Sequence, residues 1–130
     1  MSSGQIPGDL RYTKDHEWAK AQGDLLRVGI THHAQDSLGD VVFIELPEVG
    51  AQVEKGKQFG VVESTKAVSE LFSPVTGTVK SVNKALIDKP ESVNGDPYGA
   101  AWMIEVELSD KKELDELLSA EQYGDFLKSA

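Results

Sequence analysis

The 130-residue chain has no cysteine. Disulfides, thiolate zinc sites, iron–sulfur clusters and cysteine nucleophiles are therefore excluded. Positive charge is scarce: 13 lysines and arginines stand against 22 aspartates and glutamates, a formal net charge of −9. A protein that neutralises phosphates needs a basic face, so nucleic acid is not an expected partner. An anionic membrane surface is excluded on the same ground. No apolar run approaches the length of a membrane span. The opening residues, MSSGQIPGDLRY, lack both the apolar core of a signal peptide and the arginines of a transit peptide. The expected compartment is the cytoplasm, or the mitochondrial matrix if a transit peptide was removed. Three histidines, His16, His32 and His33, offer no pair at i and i+4, and no metal site is expected. Neither a Gly-x-Ser-x-Gly elbow nor a phosphate loop is present.

What is present is a core and many short strands. Hydrophobic residues make up 39% of the chain, enough for one domain over residues 1–130. Residues 1–9 read as a flexible N-terminus. Residues 17–22 and 25–30 read as a hairpin turning at Gly23-Asp24. Thr31 and Gly39 bracket a short helix over 32–38 as N-cap and C-terminal glycine. Further strands are expected over 40–46, 58–64, 67–72, 78–83 and 102–108. The Pro- and Gly-rich stretch 84–101 reads as loop with one short helix. Over 109–128 the period becomes helical. Ser109 is the expected cap for Leu114, Leu117 and Leu118, and Ser119 with Gln122 forms a capping box for a last helix. The acidic residues of this region read as its wet face. Pro47-x-x-Gly50 and Pro74-x-x-Gly77, each followed by a valine, form an internal echo that suggests two related half-sandwiches. Gly60 and Gly77 read as sites of close backbone approach or bulges.

The segment GVVESTKAVSELFS places Lys66 at the apex of a hairpin, with Glu63 and Glu70 near the bend. A lysine on a rigid tip projects its amine away from the body. An acyl group attached there removes the charge and becomes a tethered arm, concentrated near any docked active site. By position alone Lys66 reads more readily as one of eleven solvated surface lysines.

The residues around it carry a further signal. Tyr12-Thr13, His16-Glu17-Trp18, Val28-Gly29-Ile30-Thr31, Leu38-Gly39-Asp40-Val41-Val42 and Glu45-Leu46-Pro47 are followed by Val62-Glu63-Ser64-Thr65-Lys66-Ala67. Ser73-Pro74, Val82-Asn83, Asn94 and Asp96-Pro97-Tyr98-Gly99 complete the series. In this order they resemble the H protein family of the glycine cleavage system, over about residues 10–127. Ala100 stands where a glycine is common.

The resemblance implies a mostly β fold, a barrel-sandwich hybrid of two antiparallel sheets with short helices and a C-terminal helical pair. It implies lipoic acid in amide linkage to Lys66, and a carrier rather than an enzyme. The lipoyl arm would take an aminomethyl group from the pyridoxal phosphate-dependent glycine decarboxylase to the tetrahydrofolate-dependent aminomethyltransferase. Dihydrolipoyl dehydrogenase would reoxidise it, in the service of glycine catabolism and one-carbon metabolism. Lipoylating enzymes are further implied partners, and Glu63 would help present Lys66 to them. Glu17 and Glu70 would line a cleft for the arm. Asp15 and Ser37 fall at cleft positions where some members carry serine and histidine. Apart from the resemblance, Glu17 reads as a solvated strand residue and Glu63 as a cross-strand charge opposite Glu70 or Lys66. A lipoyl-relay protein serving other enzymes remains an alternative. Biotin carriers, with methionines flanking the lysine, and acyltransferase lipoyl domains, with aspartate before it, fit Thr65 and Ala67 less well. Two further classes are a small hydrolase using Glu17 and Glu70 as acid and base, and an interaction module whose Lys66 stays unmodified.

Overall fold

A computed structural model describes residues 6–129. Of the expected flexible stretch 1–9, residues 1–5 lie outside the described residues. Nine strands and five helices follow in the order β1 (Arg11–Tyr12), β2 (Glu17–Gln22), β3 (Leu25–Ile30), α1 (His32–Leu38), β4 (Val41–Glu45), β5 (Gln52–Val53), β6 (Gln58–Ser64), β7 (Val68–Phe72), β8 (Gly77–Val82), α2 (Lys84–Asp88), α3 (Ser92–Gly95), β9 (Ile104–Leu108), α4 (Lys112–Asp115) and α5 (Ala120–Ser129). One sheet has six strands in the order β1-β2-β3-β9-β8-β5, and the other has three in the order β4-β6-β7. Every pairing is antiparallel. Among the described residues no ladder joins the two sheets, so they form a sandwich without closing into a barrel.

The sandwich interior follows from strand alternation. Leu26, Val28 and Val106 from the larger sheet bury against Ile44, Val62 and Leu71 from the smaller one. A second cluster of Leu10, Tyr12, Trp18 and Tyr123 sits where α5 covers the end of the larger sheet. Tyr12 stacks on Tyr123 at 4.8 Å, and the Trp18 indole N–H donates to the Pro97 carbonyl at 2.9 Å. An isolated bridge between Tyr12 and Leu118 fastens the C-terminal segment to β1.

The two glycines expected at close approaches are such sites. A Cβ on Gly60 would fall 2.4 Å from the Glu45 carbonyl oxygen, and one on Gly77 would fall 2.1 Å from that of Glu107. The two Pro-x-x-Gly echoes meet, because β5 after the first pairs with β8, which begins at Gly77 of the second.

Several expectations change. The stretch 84–101 holds two short helices, α2 and α3. Leu117 and Leu118 are not helical, since α4 ends at Asp115 and Leu118 is drawn into the bridge with Tyr12. Asp110, not Ser109, accepts from the Lys112 N–H at the start of α4. Glu113 leaves the expected wet face and accepts from both the N–H and the hydroxyl of Thr76. The capping box holds: Ser119 and Gln122 exchange bonds of 2.9 and 3.2 Å.

Candidate functional site

Lys66 lies in the turn between β6 and β7, and local hydrogen bonds hold that turn. The Ser64 N–H donates to the Ala67 carbonyl at 2.8 Å. The Ser64 hydroxyl oxygen accepts from the backbone N–H groups of Lys66 and Ala67 at 3.3 and 3.0 Å. Such side-chain-to-backbone bonds are how serine fixes a tight turn. The neighbouring strand adds a tether, because the Thr65 N–H donates to the Asp40 carbonyl at 3.0 Å. The amine itself makes no hydrogen bond or ion pair among the described residues, and Lys66 is exposed.

The stem of Lys66 lies over Gly39, which ends α1. A Cβ on Gly39 would come 3.3 Å from Lys66 Cε, and its φ of +78° with ψ of −154° is a backbone region reserved almost wholly for glycine. Asn94 of α3 clamps this segment from both sides. Its amide donates to the Gly39 carbonyl at 2.8 Å and to Gln35 Oε1 at 2.9 Å, while its own oxygen accepts from the Val41 N–H at 2.9 Å.

From Leu38 and Ser37 a cleft of about 290 Å³ leads away between α1 and the edge strand β7. Its apolar wall is Ile30, Ala34, Leu38, Val62 and Leu71, and its polar groups include Asp15, His16, Glu17, His33 and Glu70. The expected cleft residues thus share one hollow, Asp15 and Ser37 among them. Glu17 is not a solvated strand residue: it is 2% exposed. Thr13 donates its hydroxyl to Glu17 Oε1 at 2.7 Å, and the Phe72 N–H donates to Oε2 at 3.3 Å. Burial pushes the Glu17 carboxyl up to about 7, against the downward pull of these two donors. Asp15 and Glu17 also line a second hollow of about 220 Å³ beside Leu117 and Leu118. Glu63 lies opposite Phe43 and Val68, not Glu70 or Lys66.

The surroundings of His16 in the cleft are not read from the sequence. The His16 ring packs against His33 at 4.6 Å, Tyr123 at 5.8 Å and Phe126 at 6.0 Å. His16 has a φ of +70°, uncommon for a residue with a Cβ. Its Nδ1 lies 2.8 Å from the Tyr123 hydroxyl, which lies 2.8 Å from the Thr31 hydroxyl. Thr31 accepts the Ala34 N–H as N-cap of α1. The chain can run in either direction: Thr31 donates to Tyr123 and Tyr123 to His16 Nδ1, or His16 Nδ1–H donates to Tyr123 and Tyr123 to Thr31, whose oxygen has a second lone pair for the Ala34 N–H. Burial, followed by the nearby His33, holds the His16 pKa below its ordinary value.

This arrangement suits a chain-like group attached to Lys66: an unpaired amine on a fixed turn, a glycine beneath its stem, and an adjoining cleft that is apolar along its wall and acidic at its end. No group of three or more histidines and carboxylates among the described residues is arranged to hold a metal ion.

Comparison with known proteins gives four matches. The profile of one family, described as Glycine cleavage H-protein, matches residues 10–130. The glycine cleavage system H protein of Myxococcus xanthus (strain DK1622) is 59% identical over 125 residues, 96% of this chain and 97% of that protein. That of Bacillus subtilis (strain 168) is 58% identical over 118 residues, 91% of this chain and 93% of the relative. The crystal structure of a glycine cleavage system H protein from Mycobacterium marinum superposes with a TM-score of 0.87 at 46% identity, covering 95% of this chain and 99% of that one.

Proposed function

The chain belongs to the glycine cleavage H-protein family, and from that premise we propose that it is the lipoyl carrier of the glycine cleavage system, with Lys66 as the lipoylated residue. It is a carrier, not an enzyme, and its partners lie within that system. The specific partners in this reading are the glycine decarboxylase, the aminomethyltransferase, dihydrolipoyl dehydrogenase and the lipoylating enzymes. Residues 1–130 act as one carrier domain. The cytoplasm is the compartment in this reading, which its likeness to bacterial relatives supports. No helix among the described residues is long and apolar enough to cross a membrane.

When attached, the dithiolane supplies the redox and group-carrying chemistry that a cysteine-free chain lacks. The chain's own residues supply position. Ser64 and the tether to Asp40 hold the turn, so that the Lys66 amine leaves the body in a fixed direction. Gly39 leaves room for the stem, and the cleft that begins at the preceding residue, Leu38, offers an apolar wall that includes Ile30, Leu38 and Val62. At the far end Glu17 is a proton-exchanging group. A cation beside it favours its ionised form, and the ionised form then holds the cation against water. Glu70 and Asp15 add negative charge to the rim. Glu63 helps present Lys66 to the lipoylating enzyme, being the last β6 residue but one before the turn.

The observation that carries the reading is the unpaired amine of Lys66 on a hydrogen-bonded tip, with a cleft that begins at Leu38, next in sequence to the glycine beneath its stem. Peptide mass spectrometry of the protein from its native host tests it. The expected result is a lipoyl-sized gain on Lys66, and a Lys66→Arg protein that melts with wild type but supports no glycine turnover with the three partner enzymes. Full turnover by Lys66→Arg overturns the reading.

A further inference from the structure

We propose that the outer face of the three-stranded sheet, centred on Phe43 and Val68, is the surface on which the enzyme that acylates Lys66 docks, a proposal that rests on the reading of Lys66 as the lipoylated residue. The face is defined by strand register. Phe43, Glu63 and Val68 form one row across β4, β6 and β7, and Glu45, Val61 and Glu70 form the next row on the same side. Apolar and acidic side chains thus alternate in both directions. The row between them, Ile44, Val62 and Ser69, points to the other side, where Ile44 and Val62 are buried in the core.

A β-bulge between Val41 and Phe43 produces this pattern. Simple alternation from buried Val41 would send Phe43 inward and Ile44 outward. The extra residue reverses the phase, so Ile44 is 2% exposed while Val42 and Phe43 are 53% and 47% exposed. Val68, beside the tip, is 68% exposed. Single exposed apolar residues are ordinary, but these two flank Glu63 in one row.

The acids around them lack internal partners. The ion pairs among the described residues join Arg27 to Glu105, Lys55 to Glu116 and Lys80 to Glu107; none reaches Glu45, Glu63 or Glu70. This face therefore offers a complement to apolar side chains ringed by lysine or arginine. A second copy of this chain would set acid against acid, and an anionic membrane would be repelled.

Geometry selects the acylating enzyme from among basic partners. The pair Glu63–Val68 is the last rung before the turn that carries Lys66. An active site that acylates the bare amine must come within one lysine side chain of that turn, and so must cover this rung. An enzyme that meets the finished, longer arm has no such need. In the acylation the neutral amine attacks the acyl carbon of an enzyme-held lipoyl adenylate. The Nζ–C bond forms, the C–O bond to the phosphate breaks, and AMP leaves with its electron pair. The surplus proton passes to solvent, and no oxidation state changes.

The test uses the full chain with a lipoate–protein ligase, lipoate and ATP, following lipoyl gain by intact mass. The Phe43→Ser, Val68→Ser double variant is expected to raise KM about tenfold, with kcat within about twofold of wild type and an unchanged melting temperature. The Val49→Ser, Ile87→Ser double variant, on exposed apolar residues elsewhere, is expected to keep the wild-type KM. Added salt should raise the wild-type KM, and less steeply for Glu45→Gln. A wild-type KM in the Phe43→Ser, Val68→Ser protein overturns the docking surface while leaving Lys66 as the acceptor. So does a homodimer in sedimentation that Phe43→Ser dissolves, since the face would then be self-association surface. A wild-type chain that gains no mass on Lys66 overturns the reading of Lys66 itself, and the docking surface with it.

Discussion

Replacing Glu17 by glutamine should stabilise the protein at alkaline pH relative to wild type, because the buried carboxyl is costly only when ionised. Its rise from 4.5 to about 7 corresponds to about 3 kcal/mol of lost stability once the group is charged. Between those values the native state keeps a proton that the unfolded chain has released. Stability from this group is therefore full below about pH 4.5, falls as pH rises, and is gone above about 7. The Thr13 hydroxyl oxygen already accepts from the Asp15 and Glu17 N–H groups, so glutamine keeps one contact, its carbonyl accepting from the Thr13 hydroxyl, and gives up the 3.3 Å bond from the Phe72 N–H, a loss that does not change with pH. His16 works in the opposite sense. Its lowered pKa makes its contribution full above the ordinary histidine value and lost as pH falls. That slope is common to both proteins and cancels in their difference. The assay is urea unfolding at pH 4, 5, 6, 7 and 8, read by the fluorescence of fully buried Trp18. The glutamine variant should gain up to about 3 kcal/mol on wild type between the lowest and highest pH. Parallel profiles for the two proteins would refute the assignment of a raised carboxyl to Glu17.

Two substitutions test the packing that supports the cleft. Tyr123→Phe removes the hydroxyl between Thr31 and His16; it should cost about 1–3 kcal/mol in chemical denaturation, and the His16 titration followed by NMR should move. Gly77→Ala places a Cβ 2.1 Å from the Glu107 carbonyl on paired backbone that cannot yield. A loss of about 1–3 kcal/mol is expected, with the amides of β8 and β9 exchanging faster.

Local chemistry made much of this structure legible. Thr31 and Gly39 bound α1 where their capping preferences put them. The strands at 17–22, 25–30 and 58–64 have the expected limits. Residue type also exposed the hairpin with its apical Lys66, and the resemblance supplied the role proposed for it. What stayed hidden depends on distant partners. The strand at 11–12 is two residues long and exists only through its neighbours β2 and Leu118. Glu17 occupies a strand position that could face water, and only Thr13, Phe72 and the burial around them make it a titrating group near neutrality. His16 gains its place in the cleft from Tyr123, far along the chain. The bulge that turns Phe43 outward lies in a run of apolar residues, where no periodicity could announce it.

The distance between His16 and Tyr123 along the chain, 107 residues, also orders events during synthesis. The tip that holds Lys66 is closed by residues within three positions of one another and by Asp40, which precedes it. The His16 wall of the cleft waits for Tyr123, which lies in the last helix of the chain. A small single domain folds as a unit rather than contact by contact. The Lys66 turn and the Tyr123 side of the cleft are therefore completed together, once the last helix has been made.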